Sequence, residues 1–186
     1  MEVNDSVGDD ITADRGSWSF YDIKHNNFQD HVLKSVPGYS KGHDYITCLS
    51  DYFVSSDSLV YDIGCSTGSL ISKLSKYHAN KKGVNFIGIE PCSGFEEEFL
   101  TNISSLNREN HSFEFLQASI EDVELKKADL FISYYTLQFI HPRVRQSIVN
   151  SIYESLNWGG GFFLFEKVRG VDARFHEMIN LAYLEY

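Results

Sequence analysis

From Leu59 onward, short apolar runs alternate with longer stretches in which apolar residues recur every three or four positions. LVYDIG (59–64) is short and almost uniformly apolar, the pattern of a strand buried on both faces. Residues 68–78 then place Leu70, Ile71 and Leu74 on one side of a helix. NFIGIE (85–90), FEFLQASI (113–120), DLFISYY (129–135) and GFFLFEKV (161–168) repeat the strand pattern, with Asp129 read as a turn residue. Residues 94–106 and 142–156 predict helices, the second opened by a proline, and a last helix is expected from Ala173 to the end. Upstream, 28–33 and 43–53 predict two short helices, with a turn at Pro37-Gly38 and Ser40 as a capping candidate. Strands and helices alternating at this spacing predict an α/β fold: a doubly wound, Rossmann-like sandwich around a mostly parallel sheet.

Composition adds limits to this picture. The 186 residues suit one domain, and 42% hydrophobic with 15% aromatic content supplies a sizeable core. Residues 1–15 carry five acids before the first base, Arg15, and read as an acidic flexible tail. Residues 16–186 read as the folded domain, with a helical lid over 16–57. There is neither an apolar run long enough to span a membrane nor a secretory signal at the start. A net charge of −10 with scattered lysines and arginines argues against direct nucleic-acid binding. Three cysteines without metal-ligand spacing fit a reduced, cytoplasmic chain, and the seven histidines show no ligand spacing, so no metal is expected.

The chemistry concentrates in YDIGCSTGS (61–69), where the first strand turns into a helix. Gly64 allows a sharp turn, Gly68 lets the helix pack closely, and the helix N-terminus offers free N–H groups. Asp62 would repel a pyrophosphate there but tolerates a cationic or zwitterionic ligand. Glu90, at the end of the second strand, is placed to accept the two hydroxyls of a ribose. Together they predict a nucleoside lacking phosphate. A nicotinamide oxidoreductase is disfavoured by Asp62 and by the absence of GxGxxG. On this reading Gly64→Val blocks the ligand with little loss of folding. Cys65 lies beside a helix N-terminus, which lowers a thiol pKa, and His141 is a candidate general base.

Asp62-Ile63-Gly64-Cys65-Ser66-Thr67-Gly68 resembles the first motif of class I S-adenosylmethionine (SAM)-dependent methyltransferases, with Ser66 in place of the middle glycine. More narrowly, SVPGYS (35–40), VYDIGCSTG (60–68), TLQFI (136–140) and LNWGGG (156–161) followed by Phe165-Glu166-Lys167 resemble the carboxy-SAM synthase family. The resemblance implies a class I methyltransferase sandwich, shortened after the fifth strand relative to that family. It also implies a ligand, SAM or carboxy-SAM, and a reaction of SAM with prephenate to give carboxy-SAM and phenylpyruvate, within tRNA wobble-uridine modification. Carried over residue by residue, the implied ligand contacts are Tyr39, Asp62, Gly64, Cys65, Ser66, Glu90, Pro91, Ser119, Ile120 and Tyr134.

Four positions depart from that pattern. Glu90 stands for an aspartate, Pro91 for a polar residue, Ser119 for an aspartate near the adenine, and Tyr134 for an asparagine. A phenol at 134 is expected to intrude on the ligand or reshape its pocket. Glu121 or Asp122 could replace the lost carboxylate, Arg143, Arg145, Arg169 and Arg174 could contact anions, and Trp18, Phe20 and Tyr21 could cover the site. Two functions therefore stand side by side: a SAM-dependent transferase, and a non-catalytic SAM-binding or protein-interaction module. The fifth strand is expected to be an exposed edge, covered by a second copy or another protein partner.

Overall fold

The computed structural model describes residues 12–14, 17–19, 28–106 and 108–184. Its centre is a five-stranded sheet of β3 (Leu59–Ile63), β4 (Val84–Ile89), β5 (His111–Leu116), β6 (Ala128–Tyr134) and β7 (Leu156–Phe165), with β1 (Thr12–Asp14) and β2 (Ser17–Ser19) forming a separate two-stranded sheet. The strands lie in the order β5-β4-β3-β6-β7, and every pair is parallel. The chain leaves β3 toward one edge and returns on its other side at β6. That reversal opens a crevice at the carboxyl ends of β3 and β6, where ligands bind in open α/β sheets.

Alternation along β3 builds two cores. Val60 joins a cluster with α2 (Tyr39–Leu49), α3 (Ser69–Tyr77) and α4 (Glu96–Ser104), through Ile46, Leu70, Ile71, Leu74, Phe99 and Ile103. Tyr61 and Ile63 face the opposite layer, where Ile148 and Ile152 of α5 (Pro142–Ser155) pack. There Tyr61 and Phe131 stack with centroids 5.0 Å apart. Strands buried on both faces account for the continuous apolar runs in the sequence.

Several boundaries differ from the sequence reading. The second upstream helix begins at Tyr39 behind Gly38, whose φ of 70° lets the chain turn in, so Ser40 lies inside the helix. The third strand starts at His111 and stops at Leu116, and Ser119 and Ile120 fall in the following loop. The last strand begins at Leu156. Ala128 pairs with Leu156 but Leu130 with Gly161, so 157–160 bulge outward and Trp158 is fully exposed. Asp129 is a strand residue that fastens three strands. Its Oδ2 accepts from Leu59 N (3.0 Å) and its Oδ1 from the Asn157 amide (2.8 Å).

Of the expected tail, residues 1–11 lie outside the described residues, while β1 (Thr12–Asp14) pairs antiparallel with β2 (Ser17–Ser19). The expected lid contains α1 (Phe28–Ser35), with Phe28 against Phe95 at 4.9 Å, and then α2. Phe20 and Tyr21 lie outside the described residues, as does the side chain of Trp18. At the far end, α6 (Ala173–Leu184) exposes Phe175, Met178 and Leu181 and touches α1 through Tyr183 Oη, which donates to Ser35 O at 2.8 Å. Among the described residues no helix is long and apolar enough to cross a membrane.

A polar network closes the opposite end of the sheet. His78 is fully buried, with Nε2 2.7 Å from Ser50 Oγ and Nδ1 without a hydrogen-bond partner. Burial, and then Lys81, lowers its pKa to about 4, with Asp51 opposing. A depressed imidazole contributes stability that is complete above its unfolded value of about 6.5 and is lost as pH falls toward 4. In urea titrations, His78→Gln should therefore gain on the wild type progressively between pH 6.5 and 4. A constant gap across that range would contradict this assignment.

Candidate functional site

The turn after β3 is held from all sides. Gly64, Ser66 and Gly68 all have positive φ, at 74°, 45° and 71°. Gly64 N and Cys65 N donate to Ile89 O at 2.8 and 3.2 Å, and Gly68 N to Cys65 O at 2.8 Å. The neighbours of the two glycines are not those expected. A Cβ on Gly64 would lie 2.5 Å from Thr136 Cγ2, and one on Gly68 would lie 2.5 Å from the Phe99 ring. Gly64 thus makes room for the turn after β6, and Gly68 for α4. The sequence reading had given that space to ligand and strand.

Two acids occupy the base of the crevice. Asp62 is 3% exposed, and its carboxyl has no hydrogen-bond donor among the described residues. Burial, and then the charge of Glu90, pushes its pKa up to about 7. Glu90 is also buried, but its Oε2 accepts from Ser66 N (3.1 Å) and its Oε1 from Cys92 N (3.0 Å). It therefore ties the two glycine-side turns together, leaving only its remaining lone pairs for a ligand. The Cys65 thiol is raised well above its ordinary value, by burial first and then by Asp62 and Glu90, so the expected lowering is overturned. Desolvation outweighs the helix end.

An aromatic wall faces these acids. The Tyr39 ring lies 4.8 Å from His43 and 4.8 Å from Tyr134, and the Tyr134 hydroxyl donates to Tyr39 O at 2.6 Å. The phenol at 134 is accommodated by Gly42, where a Cβ would lie 2.8 Å from its Cζ. Its hydroxyl is satisfied and its ring packs under α2, so its bulk is taken up by a helix glycine. Gly42→Ala tests this fit. In an open helix interior alanine would stabilise by about 1 kcal/mol, but here the pinned ring cannot yield. A loss of about 1–3 kcal/mol is expected, shrinking in combination with Tyr134→Leu, measured as a double-mutant cycle in denaturant. Stabilisation by Gly42→Ala would show the ring to be free to move.

The crevice is narrow, with a cavity volume of about 20 Å³. Of the ten expected contacts, Tyr39, Asp62, Gly64, Cys65, Ser66 and Tyr134 line it. Glu90 stands directly behind the turn, and Pro91 is exposed just after it. Ser119 sits in the next loop, its hydroxyl donating to Glu121 Oε2 at 3.0 Å. Ile120 is buried beside a second hollow of about 140 Å³ against α5. The sequence reading missed His43, Thr67 and Leu70, which also line the crevice. For His43 a signal existed: it follows Tyr39 by four positions, so both share one helix face.

Other candidates have structural duties. His141 Nδ1 accepts from Arg143 N at 3.2 Å and caps α5. Arg145 donates to Ile140 O and Gln138 O at 2.8 and 2.9 Å. Glu166 accepts from Leu137 N and Gln138 N at 2.7 and 3.1 Å, so TLQF is held by the glutamate of Phe165-Glu166-Lys167. Two motifs 28 and 29 residues apart are one structural unit.

A parallel sheet in this order, with a glycine turn, paired acids and an aromatic wall at its switch point, defines a Rossmann-like methyltransferase domain. Residues 60–160 match the methyltransferase domain family. Solved structures share the fold. A SAM-dependent methyltransferase of Clostridium acetobutylicum superposes with a TM-score of 0.58 at 19% identity, over 75% of this chain and 55% of that one. A putative SAM-dependent methyltransferase of Methanococcus maripaludis gives 0.55 at 17%, over 87% and 71%. In sequence, the chain is 32% identical to the carboxy-SAM synthase of Staphylococcus epidermidis over 161 residues, 87% of this chain and 68% of that protein. It is 31% identical to that of Klebsiella pneumoniae over 179 residues, 96% and 72%. The chain belongs to the carboxy-S-adenosyl-L-methionine synthase family.

Proposed function

We propose that this chain is a SAM-dependent transferase that holds SAM in the crevice and converts it, with prephenate, to carboxy-SAM and phenylpyruvate. The observation that carries the ligand is the Asp62 carboxyl, buried, lining the crevice and without a donor among the described residues. Such a group needs a cationic partner, and SAM brings an ammonium. SAM also supplies the one-carbon group and a permanent positive charge at sulfur. The residues fit this ligand. Asp62 would take the ammonium and the Tyr39 ring would face the sulfonium. The spare lone pairs of Glu90 would accept ribose hydroxyls. Pro91, Ser119 and Ile120 follow along the ends of β4 and β5 as the adenine side. Under this reading the reaction serves tRNA wobble-uridine modification in the cytoplasm, as the resemblance to the carboxy-SAM synthase family implies. Residues 16–186 act as one SAM-binding unit under this reading.

Calorimetric titration with SAM tests the ligand, a saturable one-site isotherm being expected. A folded protein that ignores SAM would contradict it. A second reading, binding without turnover, rests on Ser119 and Tyr134, whose side chains differ from those the reaction family carries. We further propose that a second copy or another protein covers the β7 edge, where Leu164 is exposed. Light scattering of the purified protein should then report a dimer or a hetero-complex, and a monomer at high concentration would contradict it.

A further inference from the structure

We propose that His43 is a ligand-contacting residue whose ring N–H receives the carboxylate of the ligand's amino-acid arm, opposite the Asp62 that takes its ammonium. This deepens the SAM reading and rests on it. An α-amino-acid end is a zwitterion, so a site that holds it needs an acceptor for one group and a donor for the other. Asp62 supplies the acceptor. In the turn, the N–H groups of Gly64, Cys65, Ser66 and Gly68 already donate to Ile89 O, Glu90 and Cys65 O, which leaves Thr67 and Ser69 as donors on the helix side of the crevice. Among the described residues no lysine or arginine lines the crevice, and Gln29 at its rim is exposed to solvent.

His43 meets the requirement. It is 7% exposed, lines the crevice with Asp62, and neither ring nitrogen has a hydrogen-bond partner among the described residues. These nitrogens are not among the sealed, unpartnered atoms, so they stay accessible from the crevice and free to donate to a ligand. Its position is fixed by the Tyr39 and Tyr134 rings, each 4.8 Å away and tilted against it. The nearby charges, Lys73 on α3 and Asp44 on α2, are paired with each other. The imidazole stays neutral, since burial first and Lys73 second lower its pKa to about 4. A neutral ring keeps one N–H to donate without adding a second charge beside the sulfonium. The departure at 134 gains a purpose here: the phenol fills the space over Gly42 and braces His43 toward the crevice.

The test compares two ligands by calorimetry on the full chain. S-adenosylhomocysteine carries the amino-acid arm, and 5′-methylthioadenosine is the same thioether nucleoside without it. His43→Phe should weaken S-adenosylhomocysteine by about ten-fold or more, the loss of one hydrogen bond to a charged group. Methylthioadenosine affinity should stay within about two-fold. His43→Leu gives the same comparison if the phenylalanine variant does not fold. Unchanged affinity for S-adenosylhomocysteine, or an equal loss for both ligands, would overturn the assignment, the second result marking a structural role. Wild-type protein that binds both ligands equally would overturn the assignment while leaving the nucleoside site intact. Wild-type protein that binds neither would overturn the SAM reading and this assignment with it.

Discussion

Asp62→Asn is expected to stabilise the fold while sharply weakening ligand binding. In the free protein the carboxyl is buried beside Glu90 and Tyr39 with no donor among the described residues, and its pKa is pushed up to about 7. A carboxyl raised above its unfolded value of 3.8 contributes stability that is complete below that value and is lost as pH rises through 7. Above neutrality the wild type therefore carries the full cost of a buried charge, roughly 2–4 kcal/mol, which asparagine avoids. Urea midpoints should show the variant ahead at pH 8 and level with the wild type at pH 3.5. Binding moves the other way. Without the anion, affinity for SAM should fall about 100-fold or more. In the wild type that affinity should rise with pH through about 7, as the acid ionises. A variant that binds as well as the wild type would remove the central role given to this carboxyl.

Gly64→Val should unfold the domain or come close to it. Residue 64 sits at φ 74°, a region that costs a β-branched residue dearly, and its Cβ would press on Thr136. Thr136 cannot swing aside, because its hydroxyl donates to Ile63 O at 2.8 Å. A loss of about 3 kcal/mol or more follows from strain and overlap together. This reverses the expectation drawn from sequence, in which the variant loses ligand but keeps its fold. Guanidinium unfolding decides between them, since a variant with wild-type stability would return the space beside Gly64 to the ligand.

That reversal shows where the sequence stopped being informative. The parallel sandwich was legible because β3, β4 and β6 are buried on both faces, which writes an unbroken apolar run into the chain. The start of β7 at Leu156 was hidden because Gly159 and Gly160 look like a loop. Gly161, read as the strand's first residue, lies in the sheet, where a Cβ would lie 2.7 Å from the Phe53 ring. In the site, Asp62, Gly64 and Ser66 were legible as a motif on one turn. The contact of Tyr134 with Tyr39, separated by 95 positions, was not, and neither was the glycine at 42 that makes it possible. Glu90 was placed at the right strand end, but sequence gave no sign that both of its oxygens hold backbone N–H groups. Spacing shows which residues share an element. It does not show which elements meet, and that is where Gly64 was misjudged.

The most direct test of the central claim is mass analysis of the nucleosides in a reaction of the purified chain with SAM and prephenate. Carboxy-SAM accumulating in step with phenylpyruvate is the result expected of a SAM-dependent transferase of this family. SAM recovered unchanged from a protein shown to bind it would contradict turnover and leave a binding module.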